Sequence, residues 1–544
     1  MHGHYTDVWQ AVARALPDRA AIVAPEGETT YAELVAQAGA LAAHLERQGL
    51  RQGDAVAIFS YNRPEYLVAL FACFATGLAP VPMNFRYRAV ELRDLIAASD
   101  TRALIFPTSL SRVVADAVGD ASAPALIAID DAGEAAPSGA VAWTDAIAGT
   151  AELPASAPEG GELRLFTGGT TGLPKAVVWG ASDILAVQMY SIYGTAGLPM
   201  PETMADVVAV AADPTRPLTV TLPLAPFMHG TALFTSMNTL ILGGTVLVTS
   251  SPRFDPEGAA RLAVTGGATR IIVAGDAIAL PLVEAVEGLR LTPFGRVSSV
   301  ISSGMRFSPQ VKRRLHAVGD ITITDLLAST EGGPYAVNVT ASADDLPGQL
   351  RLLPGAVVLD DEFRDVSGVE GGRGILAFRG PLPHGYYRDE KKTRETFPVV
   401  DGVRYVMPGD WAIARGDGTV ELLGRGSAVV NTGGEKVYPA EVEEALLSFP
   451  GITDAVVFGT PDPRYGEVVT AVVVTEGGLD VDVEGLRTHL DARLAGYKRP
   501  RNLVVQDTLE RSPHGKVDLP RLKAGISGQL DPSTAPTGTL RVTR

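Results

Sequence analysis

Leu165-Phe166-Thr167-Gly168-Gly169-Thr170-Thr171-Gly172-Leu173-Pro174-Lys175 is the stretch around which the rest of the chain is organised. Its three glycines let backbone N–H groups close around an anion, the threonine hydroxyls add donors, and Lys175 brings a mobile positive charge to the far end. The residues describe a cradle for a polyphosphate. They do not form the P-loop of the NTPases, because no glycine directly precedes Lys175, no Ser or Thr follows it, and Pro174 forbids a smooth run into a helix. The dinucleotide pattern G-x-G-x-x-G is also absent from this stretch. Alone, it also admits a plainer account, a glycine-rich turn on a surface loop.

Segments on either side argue against the plain account: Thr29-Thr30-Tyr31-Ala32-Glu33-Leu34, Pro226-Phe227-Met228-His229-Gly230, Ser329-Thr330-Glu331, Pro408-Gly409-Asp410, Gly424-Arg425, Gly433-Gly434-Glu435-Lys436-Val437-Tyr438-Pro439 and Ser512-Pro513-His514-Gly515-Lys516. In this order and spacing the chain resembles the adenylate-forming superfamily of acyl- and aryl-CoA ligases, carrier-protein adenylation domains and luciferases. The variants TGGTTGLPK, GRGS and NTGGEKVYPAEVEE look most like its fatty acyl and steroid side-chain CoA ligase branch.

At 544 residues the chain exceeds one hydrophobic core, so at least two domains are expected. A hydrophobic content of 46% with 20% charged residues suits a globular protein, and a net charge of −16 argues against nucleic acid or an anionic membrane surface as partner. The single cysteine, Cys73, excludes an intramolecular disulfide and reads as core filler. With no signal-peptide pattern at the N-terminus and no apolar run of membrane-spanning length, a cytoplasmic enzyme is expected.

Strand-like and helix-like runs alternate at 54–59, 65–76, 79–83 and 89–98, and again from 219 to 301, which predicts an α/β protein with parallel sheets covered by helices. Residues 130–162, rich in Ala, Gly, Pro and Ser, predict a loosely structured connector, and 355–423 a small β subdomain. The expected domains are residues 1–424 for ATP and acid binding, a hinge at 425–428, a mobile C-terminal α/β domain at 429–524, and a disordered tail at 525–544.

Activating a carboxylate with ATP means holding a triphosphate, a magnesium ion and the acid in one place, mostly a matter of position and charge neutralisation. The resemblance implies that Thr167–Lys175 holds the β- and γ-phosphates, that Thr330 donates to the α-phosphate, and that Glu331 is the Mg²⁺ ligand, a hard carboxylate of the type this ion uses. Without the other segments, Thr330-Glu331 reads as a solvated helix start. Ser329 completes that segment, Ser303-Gly304-Met305 matches the one lying along adenine, Asp410 matches the ribose contact, and Arg425 matches a residue reaching the same ribose or the phosphates. Lys516 matches the lysine that acts in adenylation, and Gly433-Gly434-Glu435-Lys436 the turn shaping a tunnel for CoA, the implied co-substrate.

His229 in its apolar context reads as a satisfied core histidine or, by resemblance, as lining the acyl pocket near the carboxylate. Phe227, Met228, Phe234, Gly304, Met305 and Leu326 are expected to floor that pocket, favouring a hydrophobic acid. Four positions depart from the family pattern. Leu327 stands where many relatives stack an aromatic residue on adenine, forgoing part of about 1–3 kcal/mol, and Ala328 replaces the following glycine. Ala176 replaces the glycine after the loop lysine. Ala428 replaces the Asp or Lys pivot, so the hinge is assigned to Arg425–Ala428.

The expected activity is AMP-forming ligation of a hydrophobic or aromatic acid to CoA. Two alternatives stay open: another acceptor, such as a carrier-protein thiol or nitrite activated for an aryl amine, and a non-catalytic nucleotide-binding homologue. A homodimer is left open.

Overall fold

The computed structural model describes the chain except residues 1–2, 120–123, 132, 168–173, 195–196, 306, 426–429, 438, 479–480, 511–516, 518, 527–540 and 544. Two compact units divide it, the larger ending at Gly424 and the smaller holding Arg425–Arg544 together with Arg86–Leu92 and Gly168–Pro174.

In the larger unit, the strands Ala20–Ala24, Thr245–Leu247, Val220–Pro223, Arg270–Val273, Ser299–Ser303 and Thr322–Ser329 pair in parallel in that spatial order. Strands such as Val220–Pro223 and Thr245–Leu247 are buried at every position, which is why they read as unbroken apolar runs rather than alternating ones. A second parallel sheet is built on Ala79–Pro82, Ala55–Ile58, Thr101–Pro107 and Ala125–Ile129. The helix Pro64–Thr76 begins on Pro64 and ends at Gly77 in the left-handed conformation (φ 68°), and ten of its residues are buried. Cys73 is one of them, and burial pushes its thiol far above the ordinary range.

The Thr29–Leu34 segment has a local physical reason. Thr30 caps the helix Tyr31–Arg47 by accepting from the Glu33 N–H, and the Glu33 carboxylate accepts from the Thr30 N–H at 2.8 Å, a reciprocal capping box.

Three expectations need adjustment. The strands expected as a β subdomain, Ala356–Leu359, Glu370–Phe378, Asp410–Arg415 and Thr419–Arg425, continue the large sheet through Leu350–Leu352 and Gly332–Thr340, although they keep an apolar cluster of their own around Val358, Leu376 and Val406. The connector at 130–162 has little regular structure but is tied down: Asp131 accepts from Tyr61, Thr108 and Ser109, Gln10 donates to the Pro154 carbonyl, and the Ala157 N–H to Asp7. In the expected disordered tail, Arg541–Thr543 instead forms a strand parallel to Asn502–Gln506, because that strand offers an edge the chain can pair with.

The smaller unit packs helices Pro439–Leu447 and Val483–Arg493 on a sheet centred on Gly466–Thr475, around Val442, Leu446, Val457, Ala471, Leu486 and Leu490. Among the described residues no helix is long and apolar enough to cross a membrane.

Candidate active site

The glycine-rich stretch is flanked by two antiparallel strands, Glu162–Thr167 and Lys175–Gly180, whose last pair is Thr167 opposite Lys175. Gly168, Gly169, Thr170, Thr171 and Gly172 lie outside the described residues. The two ends of the loop are held by charged partners. Lys175 Nζ meets Asp389 Oδ2 at 2.5 Å, and Thr167 Oγ1 donates to Glu331 Oε1 at 3.3 Å. A third strand, Gly385–Tyr386, pairs with Val177 and Val178 and brings the Tyr386 hydroxyl to the same Glu331 oxygen at 2.9 Å.

Thr330 and Glu331 occupy the turn between Thr322–Ser329 and Gly332–Thr340, with Ser329 paired to Gly332, so the helix-start alternative does not hold. Trp179 Nε1 donates to the Thr330 carbonyl at 2.8 Å, and the Ser329 and Tyr335 hydroxyls are 3.1 Å apart. Both bonds to Glu331 fall on Oε1, leaving Oε2 without a protein donor among the described residues. No cluster of three or more His, Cys, Asp or Glu suits a metal among those residues. A magnesium ion therefore fits here only in the manner typical of it, on one carboxylate with substrate phosphates and water.

Asp389 also caps the short helix Glu390–Thr396 through the Lys392 N–H at 2.9 Å. The Lys175 ammonium first, and then the Lys392 N–H, hold the Asp389 carboxyl below the usual carboxylate range.

Ser303 ends a parallel strand opposite Leu326. Gly304 follows with φ 84° and open space where a Cβ would stand, so Ser303, Gly304, Met305, Leu326 and Leu327 gather at the carboxyl edge of the sheet. Ligands of α/β proteins bind at this edge. The neighbouring strand is anchored by buried Lys312, which meets Asp325 at 2.8 Å.

The Pro226–Gly230 segment is shaped by Asn62. Its Nδ2 reaches the Pro223 and Ala225 carbonyls at 3.0 Å each, and its Oδ1 accepts from the Phe227 N–H at 2.7 Å. The bend sets half-buried His229 at the N-cap of the helix Gly230–Ile241. Phe234 lies half-buried over Gly230, at 3.0 Å from where a Cβ would sit. Phe227, expected in the pocket floor, is 1% exposed and packs against the Tyr66 ring in the main core. Met228 is also buried, at 7% exposed.

Asp410 opens the strand Asp410–Arg415 just after Gly409, whose φ is 98°. Arg425 ends the strand Thr419–Arg425, and its side chain lies outside the described residues, as do Ala428 and Lys516. In the smaller unit, Gly433 and Gly434 form a two-residue hairpin loop with φ of 58° and 90°, joining Thr432 to buried Glu435 ahead of Lys436. Positive φ at both positions is reason enough for glycine there, whatever the turn does for a ligand.

Sequence reading missed Asp389, Tyr386, Trp179 and Asn62. A polar residue between an apolar strand and Pro64 was a signal for Asn62, and the Tyr386-Tyr387-Arg388-Asp389 run a signal for Tyr386 and Asp389; nothing local marked Trp179.

A family model described as AMP-binding enzyme matches residues 9–387, and the model for the C-terminal domain of the same enzymes matches 441–516. The chain belongs to the AMP-binding enzyme family. Among its relatives is a medium/long-chain-fatty-acid and 3-oxocholest-4-en-26-oate CoA ligase of Mycobacterium marinum, 35% identical over 94% of each chain. A 3-oxocholest-4-en-26-oate CoA ligase of Rhodococcus rhodochrous is 35% identical over 92% of each. An amide bond synthetase, McbA from Marinactinospora thermotolerans, shares the fold at a TM-score of 0.77 and 24% identity, over 95% of this chain and 99% of the other. The adenylate-forming resemblance and the ligase class read from the motifs therefore hold.

Proposed function

We propose that the protein activates a hydrophobic carboxylic acid with ATP, releasing pyrophosphate, and transfers the acyl group from the adenylate to CoA. The observation that carries this reading is the meeting of both ends of the glycine-rich loop with Glu331, through Thr167, and with Asp389, through Lys175. Such a loop holds the triphosphate while the acid's carboxylate attacks the α-phosphorus. A bond forms between carboxylate oxygen and phosphorus, and the bond to the pyrophosphate oxygen breaks. The CoA thiolate then attacks the acyl carbon and AMP leaves.

In this reading Lys175 exchanges Asp389 for a phosphate, and Thr330, its carbonyl fixed by Trp179, turns its hydroxyl to the α-phosphate. Ser303, Gly304, Met305 and Leu327 accommodate the adenine, with Leu327 contributing apolar contact in place of stacking. Asp410 accepts from the ribose hydroxyls and Arg425 reaches the same ribose. Glu331 holds magnesium, which supplies charge neutralisation at the phosphates when bound. His229, at the mouth of its helix, orients the carboxylate. Lys516 brings positive charge to the attack on phosphorus, and the Gly433–Lys436 turn serves the CoA step.

The test is ATP–pyrophosphate exchange across fatty, aryl and steroid side-chain acids, followed by mass detection of the thioester with and without CoA. Exchange with an apolar acid and a CoA-dependent thioester are expected. Exchange without any thioester would move the acceptor to a carrier-protein thiol or an amine, and no exchange with any acid would overturn the reading.

A further inference from the structure

The helix that His229 caps carries a polar relay. The Tyr5 hydroxyl donates to Asn238 Oδ1 at 2.9 Å, and Asn238 Nδ2 donates to Gln188 Oε1 at 2.9 Å. Tyr5 is fully buried and Asn238 is 5% exposed, whereas Gln188 is only half-buried. The direction of the relay follows from its buried end. Turning the Asn238 amide over would make it donate to Tyr5 and leave the Tyr5 O–H without an acceptor in the core, which costs more than any gain at the surface. Burial also raises the Tyr5 hydroxyl well above its ordinary pKa, so it stays a donor. Gln188 therefore has its oxygen occupied and its Nε2–H₂ turned outward, with no protein acceptor for that nitrogen among the described residues.

Two half-buried stripes flank this amide. On the helix Gly230–Ile241 the partly accessible positions are Gly230, Thr231, Phe234 and Thr235, with Asn238 one turn further on. On the helix Ala181–Met189 they include Val187 and Gln188. Val187 and Phe234 pack on the same apolar cluster. Directly after Gln188 and Met189 the helix changes to a π-helical turn, Tyr190–Gly194, a distortion found frequently at functional sites.

We infer that Gln188 is a specificity-determining residue of the acyl site, presenting N–H donors to a neutral oxygen in the distal part of the acid, so that an oxo or hydroxy acid is preferred to the plain alkyl acid. This rests on the acid-ligase reading above. Nine residues of helix separate His229 from Asn238, a rise of about 13 Å, so the oxygen stands roughly ten to twelve bonds from the carboxylate. Tyr5 and Asn238 are positioning residues that fix which way the amide faces.

The experiment compares dodecanoate with its 10-oxo and 11-oxo derivatives by pyrophosphate exchange, in wild type, Gln188→Met, Gln188→Glu and Tyr5→Phe. Wild type should favour an oxo acid by about tenfold in kcat/KM. Gln188→Met should bring the acids to parity, and Gln188→Glu, of the same shape but without donors, should favour the plain acid. Tyr5→Phe frees the relay to turn over and should lower the preference without abolishing exchange. If Gln188→Met fails to fold in a melting curve, the Gln188→Glu ratio decides. Equal wild-type kcat/KM for plain and oxo acids, or a preference that survives both Gln188 variants, would overturn the assignment and leave the ligase reading standing. No exchange with any of these acids or with the wider panel would overturn both.

Discussion

At the proposed phosphate end, Thr167 and Lys175 come from one short hairpin; Lys175 meets Asp389, while Thr167 and Tyr386, three positions before Asp389, share one oxygen of Glu331. At the acyl end, the bend at Phe227 is held by Asn62, 165 positions away, and the amide at Gln188 is oriented by Tyr5 through a bond to Asn238 that spans 233 positions. In the proposed function the phosphate end gathers charge on a ligand of fixed shape, so its residues come in short clusters, Thr167 to Lys175 and Tyr386 to Asp389, although the bonds from the loop ends to Glu331 and Asp389 span 164 and 214 positions. The acyl end must shape a space, and any buried polar group able to reach a backbone bend can serve.

The comparison is tested most severely at Lys516, the lysine matched by motif alone. Lys516→Ala should lower adenylation by about 10²–10³ while thioester formation from a supplied acyl adenylate persists. Equal loss in both steps, measured separately, would end that division of labour. At the other end, Asn62→Ala removes the partners of two carbonyls and one N–H in the core. A destabilisation of roughly 2–4 kcal/mol in denaturant unfolding is expected, and the melted fraction should account for the lost activity.

Glu331→Gln keeps the shape and removes the charge, so the magnesium concentration for half-maximal exchange should rise at least about tenfold. An unchanged magnesium titration would remove Glu331 from that role. The smallest effect belongs to Asp389→Asn, which releases Lys175 from its partly buried partner and should lower the KM for ATP about two- to fivefold. Because Lys175 depresses the Asp389 carboxyl, the pair is present at neutral pH and is lost only as pH falls through that lowered value. The gain in the variant should therefore be flat between pH 6 and pH 8, a range lying about two or more units above an ordinary carboxylate.

Legibility in the sequence follows the same division. Gly168 to Lys175 drew the phosphate-cradle reading because such a cradle needs particular residue types side by side, a reading that stays a proposal, and the strand–helix alternation could be read because parallel strands are apolar on both faces. Glu331 was singled out by its neighbours Ser329 and Thr330, but not the hairpin turn that holds it, since turn and helix start share Thr-Glu chemistry. The packing of Phe227 on Tyr66 could not be read from the sequence, because an apolar residue next to a site histidine looks the same whether it faces a pocket or the core. Asp389, Tyr386 and the Tyr5–Asn238–Gln188 relay depend on pairings between distant segments, and no local periodicity records them. Gly433-Gly434 was noticed for the room it gives, while its positive φ angles give a sufficient reason within the turn itself.

The burial of Cys73 has a practical consequence. It is the chain's single sulfhydryl, has no accessible surface, and has a pKa raised far from neutrality, so it is a poor nucleophile toward disulfide reagents and thioesters alike. A chromogenic thiol assay on the native enzyme would report free CoA with negligible background, and an energy-rich acyl thioester formed by the protein would find no thiol of its own to acylate.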